Sequence, residues 1–209
     1  MNLATACAVS RVPLAALLAL ALAACGILPK KTEIAIYDPQ PRNLADPAWP
    51  AVRAQLSLLR PSADRLHDSS RIVVRPVPGE LQVYKGAVWV KPAPDIVQDA
   101  LLRALEDSGK LAGVTRRGGG IAADYDLAID IRRFEADYQG GGAPSAVIEL
   151  SASLIDNDAN RIVGHRSFRA ATPAAGTAIP EVSRAFERSL AQVVRELGGW
   201  SLQSMQGAR

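Results

Sequence analysis

Three clusters in this chain carry side chains of the kind that does chemistry. His67-Asp68-Ser69 holds the three residue types of a hydrolytic triad. Neighbours on one loop cannot line up nucleophile, base and orienting acid, so Ser62 to Ser70 reads as a solvated polar loop. Asp124, Asp126 and Asp130 share one face of a strand and could collect a divalent cation. The same alternation is how an antiparallel strand wets its outer side, and that reading is preferred. Asp156-Asn157-Asp158-Ala159-Asn160 starts like a calcium loop, but Arg161 stands where the turn glycine belongs and Ser167 where the bidentate glutamate belongs. It reads as a polar hairpin turn. Gly118-Gly119-Gly120 has neither a dinucleotide fingerprint's spacing nor a phosphate loop's Lys-Ser/Thr ending. His165 has no partner in the sequence. Without GxSxG or HExxH, no catalytic residue, metal ligand or cofactor is assigned, and the expectation is a protein that is not an enzyme.

Cys25 is a different matter. A short segment with Arg11 and no acid runs into a Leu/Ala-rich stretch from Val12 to Ala24, the layout of a secretory signal. About a dozen apolar residues fall short of the roughly 20 that span a bilayer. The end of the run, Leu22-Ala23-Ala24-Cys25, resembles the lipobox of bacterial lipoproteins, which would make Cys25 the first residue of the mature chain. Covalent diacylglycerol and an N-acyl chain are then expected on Cys25. A plain signal cleaved at an Ala-x-Ala-type site and an uncleaved anchor are the alternatives. Cys7 leaves with the signal, so the folded part has no thiol for a disulfide or a thiolate metal site. The net charge is only +3, and loss of Arg11 lowers it by one. Such a balance points to no nucleic-acid partner.

Gly26 to Pro50 carries Lys30-Lys31 and Pro29, Pro39, Pro41, Pro47 and Pro50, and reads as a tether. Within it, Ile34 to Tyr37 suits a short strand, either part of the sheet or an ordered piece of linker. Strands are expected at Val52 to Leu59, Arg71 to Arg75, Glu80 to Tyr84, Leu111 to Arg116, Asp124 to Tyr138 with a β-bulge after Arg132-Arg133, Ala146 to Leu154, and Arg161 to Ala170. The period changes to 3.6 from Pro94 to Ser108, with Val97, Leu101, Ala104 and Leu105 on one face, Gln98 and Asp99 turned away and Gly109 as the stop. A second amphipathic helix begins near Pro180 and is expected to end at Gly198-Gly199, leaving 203–209 to fray. These elements make a single α+β domain, a mostly antiparallel sheet with two amphipathic helices packed on one face. The divisions are a signal at 1–24, a lipidated tether at 25–50, a domain at 51–202 and a flexible tail at 203–209. Aromatics are only 5% of the chain, so Tyr84 and Trp89, close together before the first helix, are candidate anchors for a partner. The alternative is that they cap the core at a sheet corner.

The sequence resembles the ABC-type transport auxiliary lipoprotein family, which includes the PqiC-type intermembrane transport lipoproteins. Five pieces in order carry the resemblance: Cys25 with Leu28-Pro29; Arg71 to Arg75; Glu80 to Tyr84 leading through Gly86-Ala87 to Trp89; Gln98 to Leu101 continuing to Glu106-Asp107-Ser108-Gly109; and Asp124-Tyr125 followed by Phe134-Glu135-Ala136. The Pro-rich stretch from Tyr37 to Pro50 departs from it. The resemblance implies an auxiliary component of an intermembrane lipid transport system, acting beside an ABC permease and ATPase and an MCE-domain periplasmic protein. It also implies a homo-oligomer held by its lipid at the periplasmic face of the outer membrane, for which Gly26 after the cysteine is compatible. A lipid carrier with its own cavity and a tethered envelope hydrolase are the alternatives.

Overall fold

The computed structural model describes residues 33–42, 44–120 and 122–208, so the signal segment, Cys25 and the first part of the tether lie outside it. In chain order the described elements are β1 (Ala35–Tyr37), β2 (Val52–Leu58), β3 (Ser62–Ala63), β4 (Arg71–Arg75), β5 (Gln82–Trp89), α1 (Ala93–Ser108), β6 (Leu111–Arg116), β7 (Tyr125–Asp137), β8 (Ser145–Asp156), β9 (Arg161–Pro173) and α2 (Ile179–Gly207). All the strands join one mixed sheet.

The sheet is built around β7. One edge of β7 pairs along its whole length with antiparallel β8, from Tyr125↔Asp156 to Asp137↔Ser145, and β8 pairs in the same way with β9. The other edge is shared by three short parallel strands in tandem: β2 at Tyr125–Leu127, β3 at Asp130–Ile131 and β4 at Glu135–Asp137. Parallel β6 extends the sheet beyond β2, while antiparallel β5 and then parallel β1 extend it beyond β4. The longest ladders are therefore antiparallel and the short flanking ones mostly parallel. The β1 ladder, Ala35↔Ala87 to Tyr37↔Trp89, makes Ile34 to Tyr37 part of the domain rather than linker. Leu44 and Trp49 of the Pro-rich segment are also buried in the core, so the domain begins well before residue 51.

Alternation along β7 places Tyr125, Leu127, Ile129 and Ile131 in the core. The register then shifts between Ile131 and Arg133, so that Phe134 and Ala136 continue the buried row. This is the expected bulge. On that face Trp89, Phe134 and Phe186 meet with ring centroids 5.0 to 6.0 Å apart. Both helices pack against it and against each other. α1 ends on Gly109, whose φ of 61° is the left-handed conformation glycine adopts without cost. Gln98, expected to face outward, is buried and donates Nε2 to the Leu58 carbonyl at 3.2 Å. It is a second donor to that carbonyl, which also accepts the Arg117 N–H at 2.9 Å.

α2 does not stop at Gly198-Gly199. It runs on to Gly207, and Leu202 and Met205 are fully buried, so most of the segment expected to fray is helix. The glycines mark a close contact: a Cβ at 198 would lie 2.7 Å from Trp49 Cη2, and one at 199 would lie 2.9 Å from Trp49 Nε1. The indole lies directly on the helix backbone there, which only glycine permits.

Candidate interaction surface

The sheet face away from the helices carries the polar halves of the strands. After the β7 bulge, Arg133, Glu135 and Asp137 point to this face while Phe134 and Ala136 point to the core. Glu135 is fully buried. It accepts Arg75 Nε at 2.7 Å, Arg75 Nη2 at 3.1 Å and Arg133 Nε at 2.6 Å. Arg133 also donates Nη2 to Asp137 at 2.7 Å. Burial alone would lower the Arg133 pKa, but its hydrogen bonds to Asp137 and Glu135 hold it above the ordinary value. A buried carboxylate is tolerable only with such pairing.

The loop from Asp64 to Ser70 closes over this cluster. His67 is buried, with Nδ1 2.8 Å from Asp64 Oδ2 and Nε2 3.8 Å from Glu135 Oε2. Burial would raise the Asp64 pKa, but the His67 backbone N–H and ring hold it below the usual carboxylate range. Arg60 then fastens the loop to α1: Nη1 and Nη2 donate to Asp68 at 3.1 and 2.7 Å, and Nε donates to Asp95 in the first helical turn at 2.8 Å. Those hydrogen bonds raise the Arg60 pKa.

Cys25 lies outside the described residues. Trp89 is not a surface anchor: it is 2% exposed and belongs to the aromatic centre of the core, which is where the alternation of β5 directs it. Tyr84 is half-buried and its hydroxyl lies 2.8 Å from that of Tyr138. Burial and that neighbour raise the phenol's pKa. The His67-Asp68-Ser69 segment is not a solvated loop at its histidine, because His67 fills the space over Glu135. Ser69 Oγ donates to the Leu66 carbonyl at 2.7 Å, so these residues do not form a triad.

Asp124, just before β7, and Asp126 and Asp130 within it have separate partners. Asp124 accepts the Gln55 N–H at 2.6 Å, Asp126 pairs with Arg117, and Asp130 accepts Ser62 Oγ at 2.9 Å. The turn after β8 is a hairpin, with Asp156 Oδ1 accepting the Ala159 N–H at 2.9 Å and Asn160 at a φ of 48°. His165 has partners the sequence did not disclose: Ser153 Oγ lies 3.0 Å from Nδ1 and Ser151 Oγ 3.4 Å from Nε2. Both ring nitrogens face hydroxyls, so neither is placed against an orienting acid.

Two surface cavities were not apparent in the sequence. One of about 570 Å³ is lined by Asp38, Gln40, Arg42, Glu187 and Arg188. The other, about 400 Å³, is lined by Ser57, Arg117, Asp126 and Asn157. Charged and amide groups dominate both. The charge cluster around Glu135 also went unread in the sequence, although Arg133, Glu135 and Asp137 alternate with buried Phe134 and Ala136 and so signal a polar strand face.

A family model described as "ABC-type transport auxiliary lipoprotein component" matches residues 35–198. A curated relative, the uncharacterized protein bll6063 of Bradyrhizobium diazoefficiens, is 30% identical over 168 residues. The match covers 78% of this chain and 43% of that protein's length. The crystal structure of protein XCC0632 from Xanthomonas campestris is similar at 50% identity with a TM-score of 0.79, covering 83% of this chain and 98% of that one. A second crystallised uncharacterized protein shares the fold at a TM-score of 0.62 and 13% identity, covering 79% of this chain and 97% of its own.

Proposed function

Because the chain belongs to the ABC-type transport auxiliary lipoprotein family, we propose that it is a non-enzymatic, lipid-anchored adaptor of an ABC transport system in the cell envelope. The observation that carries this reading is the extent of the family match, from β1 to α2 and so across the whole described sheet. The system is of the MCE-linked type that moves lipid between membranes. The partners are an MCE-domain periplasmic protein and the ABC permease and ATPase, and the adaptor acts as a homo-oligomer at the periplasmic face of the outer membrane. Cys25 carries the diacylglycerol and N-acyl chains. Each buried methylene contributes roughly 0.8 kcal/mol and one chain anchors only marginally, so several chains are what hold the domain in place. Among the described residues no helix is long and apolar enough to cross a membrane. Tyr84, partly accessible beside Tyr138, is the aromatic candidate for a partner contact.

Two observations favour an adaptor over its rivals. The cavities lined by Asp38, Gln40, Arg42, Glu187 and Arg188 and by Ser57, Arg117, Asp126 and Asn157 present polar groups that suit an acyl chain poorly. The histidines, one sealed over Glu135 and one between two serines, supply no oriented nucleophile for a hydrolase.

The test is affinity recovery of the tagged full chain from crosslinked membranes, alongside metabolic labelling with palmitate. Recovery of ABC and MCE components, with label lost in Cys25→Ala, is the expected result. Efficient crosslinking that captures neither component refutes the adaptor reading.

A further inference from the structure

The first edge of the sheet is unusually apolar for a surface. Ile34 is 63% exposed, Ile36 67% and Val90 49%. Among the described residues β1 pairs only with β5, which leaves its other side without a strand partner there. Tyr37 packs against the core, and strand alternation therefore turns Ile34 and Ile36 to the helix-free face. Val90 follows Trp89, which points into the core, so it lies on the same face, and its N–H is held by the Tyr37 carbonyl at 2.8 Å. Three large aliphatic side chains thus project together from one corner of the sheet.

We propose that this corner rests on the lipid surface that holds the anchor, with Ile34, Ile36 and Val90 seated at the boundary between headgroups and acyl chains. The proposal rests on the lipid-anchor reading given above and adds a second point of contact to it.

Three observations select a lipid surface as the occupant. Only eight residues lie between Cys25 and Ile34; nine steps of no more than about 3.3–3.6 Å each keep the corner within roughly 30 Å of the anchored residue, and any slack brings it closer. That segment contains Lys30 and Lys31, which anionic headgroups attract. A three-residue strand edge also falls far short of the roughly 800 Å² per partner that a stable protein association buries, whereas a surface already holding the lipid needs only a few side chains. Ile162 provides an internal contrast. It is 61% exposed but lies on β9, five strand spacings from β1 in the sheet order, or about 24 Å across the sheet.

The experiment uses the lipidated full chain in vesicles of three parts phosphatidylethanolamine to one part phosphatidylglycerol. Single cysteines are introduced by Ile36→Cys, Val90→Cys or Ile162→Cys and carry a spin label, the Cys25 sulfur being blocked by its lipid. Mass analysis of the N-terminal peptide first establishes acylation at Cys25. The expected result is that labels at 36 and 90 are reached by oxygen and shielded from a water-soluble nickel chelate, with an accessibility ratio several-fold above that at 162. Equal ratios at all three positions overturn the proposal while leaving the anchor intact. Spin–spin broadening at 36 in place of oxygen access overturns it in favour of a second copy on this edge. An N-terminal peptide without acyl chains overturns the anchor reading itself, and with it this contact.

Discussion

Replacing Glu135 with glutamine removes one charge from a cluster whose other members cannot all compensate. Glu135 accepts three hydrogen bonds from two guanidinium groups and lies beside a buried imidazole. Each charge-assisted hydrogen bond is worth about 1.5–3 kcal/mol, and breaking a buried ion pair on one side costs about 3–5 kcal/mol. Arg75 and Arg133 keep side-chain exposures of 25% and 23%, so water recovers part of their solvation. Glutamine keeps one acceptor oxygen, but its amide turns N–H groups toward guanidinium donors. The net loss is about 2–3 kcal/mol after that discount. For a domain of this size each kcal/mol moves Tm by about 2–4 °C, giving a fall of about 4–12 °C. Thermal unfolding by circular dichroism and the urea midpoint both read it. Glu149→Gln is the control: Glu149 reaches Arg169 only at 3.8 Å and both side chains are more exposed, so it stays within about 0.5 kcal/mol of the native protein. A Glu135→Gln Tm indistinguishable from that control refutes the view that the cluster holds this face together.

Two further outcomes follow from other contacts. Gly198→Ala gains about 1 kcal/mol of helix propensity but sets a Cβ 2.7 Å from Trp49 Cη2; overpacking of about 1–3 kcal/mol outweighs the gain, so urea unfolding shows net destabilisation, whereas Gly207→Ala, with nothing within 4 Å of the added Cβ, is neutral or slightly stabilising. Burial would raise the Asp99 pKa, but hydrogen bonds from Lys91 and Arg116 lower it overall. Since its folded pKa lies below the unfolded value of about 3.9, its contribution is complete above about pH 4 and fades as pH falls through the folded pKa. Asp99→Asn should therefore unfold more easily than the native protein at neutral pH, by about 1 kcal/mol, with the gap closing in acid; a gap unchanged at pH 3 would refute the assignment.

The regular elements were legible because they obey a period. Alternation placed β7, its bulge and the buried row of β8, and the 3.6-residue period with Gly109 placed α1. What escaped reading were contacts between segments remote in sequence. Gly198-Gly199 looks like a helix stop until Trp49, about 150 residues earlier, is seen lying on it. Tyr84 and Trp89 form one short aromatic segment in sequence, yet Trp89 points to the core while Tyr84 reaches Tyr138. His67 reads as one polar residue among several because Glu135 lies far along the chain, and burial of a histidine over a carboxylate has no local signature. The resemblance to a family was recognisable because it rests on short runs in order, whereas the surface a partner would use depends on which edges the sheet leaves open.

Those edges narrow where a partner can bind. The β7 edge opposite β8 is shared by three short strands, and between them the ladder is interrupted. At that interruption the Asp64 to Ser70 loop crosses the helix-free face, and the pairs Arg60–Asp68, Arg60–Asp95, His67–Asp64 and Arg75–Glu135 join the loop, the strands and α1. The charged groups there are engaged with one another, and using them for a partner would mean breaking the network that closes the fold. Docking is therefore directed to the free edges. The long edge of β9 presents Arg161, Arg166 and Arg169 beside exposed Ile162, and charge on an edge opposes indiscriminate strand pairing. The β1 edge, Ala35 to Tyr37, has no charged residue along it and carries Ile34 immediately before it. An apolar edge without such protection invites pairing unless something covers it, and under the proposed anchor at Cys25 this edge has a lipid surface within reach.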